Sequence, residues 1–472
     1  MRKPHFKIDR IQCRAFQLAF LGISFVLSSI FLGSNQAQAQ SESLYIRVGE
    51  AKVRKLKLAV DDFMVGSDSV RGLANQVRNV LLSDLRFSGY FQNIPQTVFP
   101  DGKEGVEEGT FSWKGWSQIG SEILIKTKLL RKGNELESRM YIYQTRAKKR
   151  LLGKKYESSV KDKRALAHAM ANDVVRVVTG KRGIFHTHLA FICDGTGKKE
   201  LYISDYDGEN VIQLTRLQSL VVGPAWAPDG NTLFFSVFRR HRKNIRNIDL
   251  MSYHLRTGKL DLISNQKGMN SGAAISPDGK RVALTMSFKG NPEIYSVDLS
   301  TKKGKRLTFN NSNDVDPSWS PDGNKIAYVS DRRGKPMVWL MNADGSDKER
   351  PIVAGLGAGQ YHASPNFSPD GNKLVYSNWE KASSARGIRS SGFNLFTMDL
   401  DGNNLQRITK NQGSNEDGSF SPNGEYIVFS SERRIGGRKT QSIYIINKDG
   451  SNERQITGTR LGKCTQPRWS NK

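Results

Sequence analysis

Seven histidines in 472 residues leave few places for histidine chemistry, and His186 and His188, flanking Thr187, are the pair best spaced to share a metal ion. The plainer reading is two histidines at the edge of a strand, because longer zinc patterns such as H-E-x-x-H do not occur. Carboxylates come next. Asp314 with Asp316, and Glu416 with Asp417, stand beside segments that read as inner strands, where they would hold a hard cation or a partner's basic side chain. Solvated loop acids that discourage wrong pairing are the plainer reading here too. No G-x-S-x-G pentapeptide supplies an activated serine. The residues therefore point to binding rather than catalysis, with no catalytic residue, metal or cofactor expected.

The elements that would position these groups begin after a leader. Arg2, Lys3, Lys7, Arg10 and Arg14 precede an apolar run from Ala15 to Leu32, which ends near Ala37-Gln38-Ala39. That order of charge, apolar core and small residues is an export signal, so residues 1–39 are read as a signal peptide. Cys13 lies before the apolar run, the wrong place for a lipid-modified cysteine. No later segment approaches the ~18 apolar residues of a membrane-spanning helix. The formal net charge is +27, and most of it lies beyond the leader. The lysines and arginines are scattered rather than gathered into a stripe, which reads as a solvated basic surface. Attraction to acidic partners or anionic envelope surfaces is the other reading, and nucleic acid is not an expected partner.

A repeat sets the fold. Trp226-Ala-Pro-Asp-Gly230, Ile275-Ser-Pro-Asp-Gly279, Trp319-Ser-Pro-Asp-Gly323, Phe367-Ser-Pro-Asp-Gly371 and Phe420-Ser-Pro-Asn-Gly424 recur with prolines at 228, 277, 321, 369 and 422. Proline presets one turn corner, and Asp or Asn with Gly supplies the positive φ that closes a hairpin. Each turn leads into an apolar run such as Lys325-Ile-Ala-Tyr-Val-Ser330. A third strand and a short outer strand follow, often through an Asp-Gly turn. Four antiparallel strands at this period make a propeller blade. The recurring aromatics at 226, 319, 367, 420 and 469 read as core between sheets rather than a ligand cage.

Residues 188–215 hold the second, third and fourth strands of another blade but no inner strand. Pro467-Arg-Trp-Ser470 matches Pro317-Ser-Trp-Ser320, so the C-terminus should complete that blade and close a ring of six. Setting His188–Asp194 on 325–331, and Cys464–Ser470 on 314–320, places Cys193 and Cys464 near Ser330 and Asp314, across one hairpin. A disulfide is expected there in an oxidising compartment. Ahead of the ring, strands over 45–48 and 57–63, a helix over 73–85, a hairpin around Gly133-Asn134 and a helix over 164–178 ended by Gly180 describe an α/β domain. The expected organisation is 1–39 signal peptide, 40–180 N-terminal α/β domain with its tail, and 184–472 an all-β six-bladed β-propeller closed by the C-terminal strand.

Together these features resemble the TolB family, the periplasmic propeller component of the Tol-Pal system. Ser83-Asp-Leu-Arg-Phe-Ser-Gly-Tyr-Phe91, Ala167-His168 and Val178-Thr-Gly-Lys-Arg-Gly-Ile-Phe-His-Thr187 carry the resemblance beyond the repeat. It implies a periplasmic scaffold that keeps the outer membrane intact and aids constriction at division. The implied partners are the lipoprotein Pal, at a propeller mouth, and the inner-membrane protein TolA, through the segment Gln40, Ser41, Glu42, Ser43, Leu44 and Tyr45. The Pal-contacting stretches correspond here to Met269, Asn270, Gly272, Val315 and Asp316, and adjoining mouth segments add Asp314, His362, Glu416 and Asp417. Met269 stands where the family commonly has histidine. The alternative is an exported propeller enzyme, a lyase or lactonase, with a metal in its channel.

Overall fold

Six four-stranded antiparallel sheets succeed one another in a computed structural model, which describes residues 54–100, 104–241, 246–346, 350–352, 361–383, 391–410 and 413–471. The expected leader, the tail at 40–45 and a strand read over 45–48 lie outside the described residues. Blade 2 is representative: inner strand Val221–Trp226, then Thr232–Arg240, Arg246–His254 and outer strand Leu260–Ser264. Its second strand is buried over Leu233–Val237, consistent with sheets stacked on both sides. Trp226, Trp319, Phe367 and Phe420 are nearly buried and pack between neighbouring sheets.

The last strand closes the ring. Cys464–Trp469 pairs antiparallel with His188–Cys193, so blade 1 takes its inner strand from the far end of the chain. Cys464 stands opposite Cys193 as Asp314 stands opposite Ser330 in blade 4. The two cysteines, fully buried and 271 residues apart in sequence, are joined by a disulfide. Three backbone and side-chain links extend the seam: Ser470 N–H donates to His188 O, His188 N–H to Ser470 Oγ, and Trp469 Nε1–H to Thr187 Oγ1.

The N-terminal domain is a mixed sheet. Leu56–Val60 runs parallel to Phe91–Asn93 and Ile123–Lys132, which continues antiparallel through Glu135–Gln144 and Lys149–Ser159. The helices Arg71–Phe87 and Lys163–Thr179 pack with Leu58, Val60, Ile123 and Ile125 in one core. The alternate residues Ala59 and Leu124 meet Trp116 of the short helix Trp113–Gln118 on the other side. Gly180, with φ 72°, ends the long helix as expected of a left-handed cap.

This domain is fastened to the propeller through buried polar groups as well as apolar contact. Phe87 meets Tyr206 and Tyr426 of blades 1 and 6, with ring centroids 4.9 and 5.1 Å apart. Beside them Asp84, wholly buried, accepts from Tyr206 Oη–H at 2.6 Å and lies 2.7 Å from His168 Nδ1. Asp205 approaches His168 Nε2 at 3.9 Å, and Arg164 pairs with Asp207 at 2.6 Å. Burial works against a charged His168, but Asp205 and the Asp84 carboxylate prevail and hold its pKa up to about 9.

Two outcomes follow from these contacts. With His168 raised from 6.5 to about 9, its contribution to stability is complete below pH 6.5 and is lost as pH rises through 9. We predict that the urea midpoint of the protein falls between pH 7 and 10, by up to roughly 3 kcal/mol in stability, and that His168→Gln flattens the fall. An equal slope in the variant would reject the assignment. For the ring seam, protein purified without reductant should show no titratable thiol from Cys193 or Cys464. A Cys193→Ala/Cys464→Ala variant should lose roughly 2–4 kcal/mol, since a long loop is no longer closed in the unfolded chain; full thermal stability in that variant would count against the latch.

Candidate functional site

Each inner strand carries a bulge at the same place. In blade 4, Val315 opposes Val329 but Ser318 opposes Ala327, so one extra residue is accommodated between them; the other five inner strands shift alike. The bulge residues are Gly223, Gly272, Asp316, Ser364, Asp417 and Gln466, and all six have φ between 50 and 65°. Glycine adopts that conformation freely, whereas each of the other four costs roughly 1–3 kcal/mol. In four blades proline follows, at 224, 317, 365 and 467, which a bulge tolerates because no ladder donor is needed there.

These six residues form a polar ring inside the channel. Gly223 N–H donates to Gln466 Oε1 at 2.8 Å, and Ser364 Oγ–H to Asp417 Oδ1 at 3.0 Å. A Cβ on Gly272 would lie 3.5 Å from Asp316 Oδ1. Burial, and then the negative charge of Asp417, push the Asp316 carboxyl above its ordinary pKa, with Arg468 opposing. Arg468 Nη1–H also reaches Asp417 O at 3.3 Å. On the side of the Pro-Asp-Gly turns, the channel widens into a cavity of about 420 Å³ walled by the recurring prolines and the edges of the recurring aromatics.

The residues expected at the partner-facing mouth divide into two sets. Asn270, Asp314 and His362, with Val221, Asn415 and Cys464, occupy one equivalent position near the start of each inner strand, and all six are fully buried. Asn270 Nδ2–H donates to Ile248 O and Gln266 O, stapling its loop. Asp314 pairs with Arg332 at 2.7 Å and accepts from Asn310 Nδ2–H. Burial pushes His362 down to about 4, and its ring packs 4.7 Å from Tyr376. These three hold blades together, which corrects their placement at an accessible mouth; the reading of Asp314 as a solvated acid is corrected with them.

Met269, Val315 and Glu416 are half-exposed and remain at the mouth, and Tyr361 beside them is 48% exposed. Asp316, Asp417 and Gly272 belong to the channel ring. Asp316 is half-buried within that ring, beside Asp417 and Arg468. Gly223, Ser364 and Gln466 complete this ring, with Arg468 against Asp417; Gly223, Gln466 and Arg468 were not singled out from sequence. The signal for Gly223 and Gln466 was the shared Pro-x-Trp text that follows them. His188 is exposed at its strand edge, 3.8 Å from Asp205. Among the described residues no three His, Cys, Asp or Glu side chains gather as a metal cluster.

The model of the TolB amino-terminal domain matches residues 44–151, and that of the TolB beta propeller domain matches residues 175–472. The Tol-Pal system protein TolB of Anaeromyxobacter dehalogenans (strain 2CP-C) is 32% identical over 297 residues, 63% of this chain and 67% of that protein. A protein TolB homolog of Chlorobium luteolum is 29% identical over 460 residues, 97% of either chain. The crystal structure of TolB from Acinetobacter baumannii shares the fold, with a TM-score of 0.72 over 89% of this chain and 98% of that one at 23% identity. Because the propeller-domain match alone spans more than half of the sequence, and the amino-terminal match precedes it in order, the chain belongs to the TolB family.

Proposed function

We propose that this protein is a periplasmic component of the Tol-Pal system, a non-catalytic scaffold that binds Pal at the propeller mouth and TolA through residues 40–45. Through those contacts it would help maintain the outer membrane and its constriction at division. The observation that carries the reading is the family membership, with relatives named as Tol-Pal system proteins. The mouth supports it physically. Met269, Val315, Tyr361 and Glu416 stand on loops or strand starts anchored by the buried residues one position away, and rigidly mounted loops are where recognition is usually placed. Tyrosine is also among the residues that most often dominate binding energy.

Two experiments test the two contacts separately. Met269→Glu and Tyr361→Ala should each weaken Pal binding by about tenfold or more with the melting temperature nearly unchanged, since neither side chain is buried. Unaltered affinity in both folded variants would move the site elsewhere. Deleting Gln40 to Ser43 should weaken TolA binding and leave the melting temperature in place, because a terminal segment that orders on binding contributes little to the free fold. TolA binding unaffected by the deletion would reject the tail as its site.

A further inference from the structure

Antiparallel blades put two kinds of connection at opposite ends of the ring. The Pro-Asp-Gly turns and the turns from third to outer strand lie at one end. The hairpins from second to third strand, and the loops from each outer strand to the next blade, lie at the other. At this second end the described connections carry twelve Lys or Arg and two Asp or Glu; at the first they carry six and eleven. The basic excess that looked scattered along the sequence is therefore gathered by the fold onto one end face.

The strand tips at that end add to it. In blade 2, Arg240 stands directly opposite Arg246. Like charges facing across a ladder cost stability, so the fold does not account for them. Two of the acids nearby are engaged internally, since Asp249 and Glu380 are buried and the latter pairs with Arg407 at 2.9 Å, while the partly exposed Glu432 pairs with Lys439 at 2.9 Å. The aromatic side chains are distributed in the same way. Among the described residues, the exposed Phe, Tyr and Trp side chains are Phe238, Phe309, Tyr361 and Trp379, and all four lie at the basic end. Phe309, 72% exposed, carries the Arg306 guanidinium 5.0 Å from its ring centroid.

We infer that this end face docks on an anionic lipid surface; the mouth proposed for Pal lies at the same end and shares Tyr361, so the lipid contact is assigned to Arg240, Arg246, Phe309 and Trp379. Basic side chains attract acidic headgroups, and aromatic rings are suited to the boundary between headgroups and acyl chains. The arrangement suits a surface rather than a small anion or a peptide. The charges and rings stand on separate hairpins and loops around the rim, whereas the channel cavity lies on the side of the opposite, acidic turns. The N-terminal domain is fastened at that opposite end, through the turns holding Tyr206 and Glu425, and leaves the basic face uncovered by those contacts.

The test is co-sedimentation of the purified protein with vesicles of phosphatidylglycerol and phosphatidylcholine. Anionic vesicles should retain it, neutral vesicles should not, and retention should weaken as salt is raised. Arg240→Glu/Arg246→Glu should reduce retention by roughly tenfold or more, and Phe309→Ser/Trp379→Ser by severalfold, each with an unchanged melting temperature. Arg256→Glu/Lys303→Glu, at the opposite end, should bind as the parent does. Parent-like retention of both rim variants, or an equal loss in the opposite-end variant, would overturn the assignment. So would soluble polyglutamate binding more tightly than vesicles at equal charge concentration, which would give the face to an acidic polypeptide instead.

Discussion

The pairing of Cys464–Trp469 with His188–Cys193 is the constraint on which the ring depends. Without that strand, blade 1 would present the open edge of its second strand, and blade 6 would lose the neighbour against which its inner strand packs. The seam is correspondingly redundant, with a ladder, a disulfide and the exchange between His188 and Ser470. It also lies beside the domain junction, where Phe185, Trp469 and Tyr426 join the core that contains the N-terminal helices. Closing the propeller and seating the N-terminal domain are thus one packing problem, solved where the two chain ends of the ring meet.

Inside the ring, the bulges connect fold to site. A regular strand with period two would place Asp314 and Asp316 on one face, and sequence reasoning treated them as a pair. The extra residue accommodated after Val315 breaks that equivalence. Asp314 stays in the blade, neutralised by Arg332, while Asp316 turns into the channel with Ser364 and Asp417. The same shift in all six blades is why one position supplies buried pegs and the position two residues on supplies a polar ring. Accessible recognition groups are left to the residues beside the pegs, such as Met269 and Tyr361.

Turn chemistry made most of the propeller legible. Pro-Asp-Gly text located five inner strands, and the unmatched Pro467-Arg-Trp-Ser470 located the sixth. The helices at 71–87 and 163–179 followed from their apolar spacing and from Gly180. The strand Lys149–Ser159 did not, because an edge strand exposed along most of its length carries no alternation, and Tyr156 is its one buried side chain. Burial at the mouth was hidden for a different reason. Asn270, Asp314 and His362 are polar, and their burial depends on partners such as Ile248, Arg332 and Val338 contributed by other strands and loops of the propeller.

Charge shows how the same repeat serves two ends differently. At the Pro-Asp-Gly end the acids serve the turns themselves. Asp229, Asp278, Asp322 and Asp370 accept from backbone N–H groups just beyond the turn, and these bonds help hold their pKa values below the usual carboxylate range. Their negative charge is a by-product of making five hairpins from one motif. No such requirement acts on the other end, where the connections vary in length and residue type from blade to blade. A random draw from a chain with 72 Lys or Arg and 45 Asp or Glu would give a smaller basic excess than twelve to two, and a demand for solubility alone would be met by either sign. The excess of one sign, kept even where Arg240 faces Arg246, is not explained by the backbone, so its cause must be sought in what that face meets.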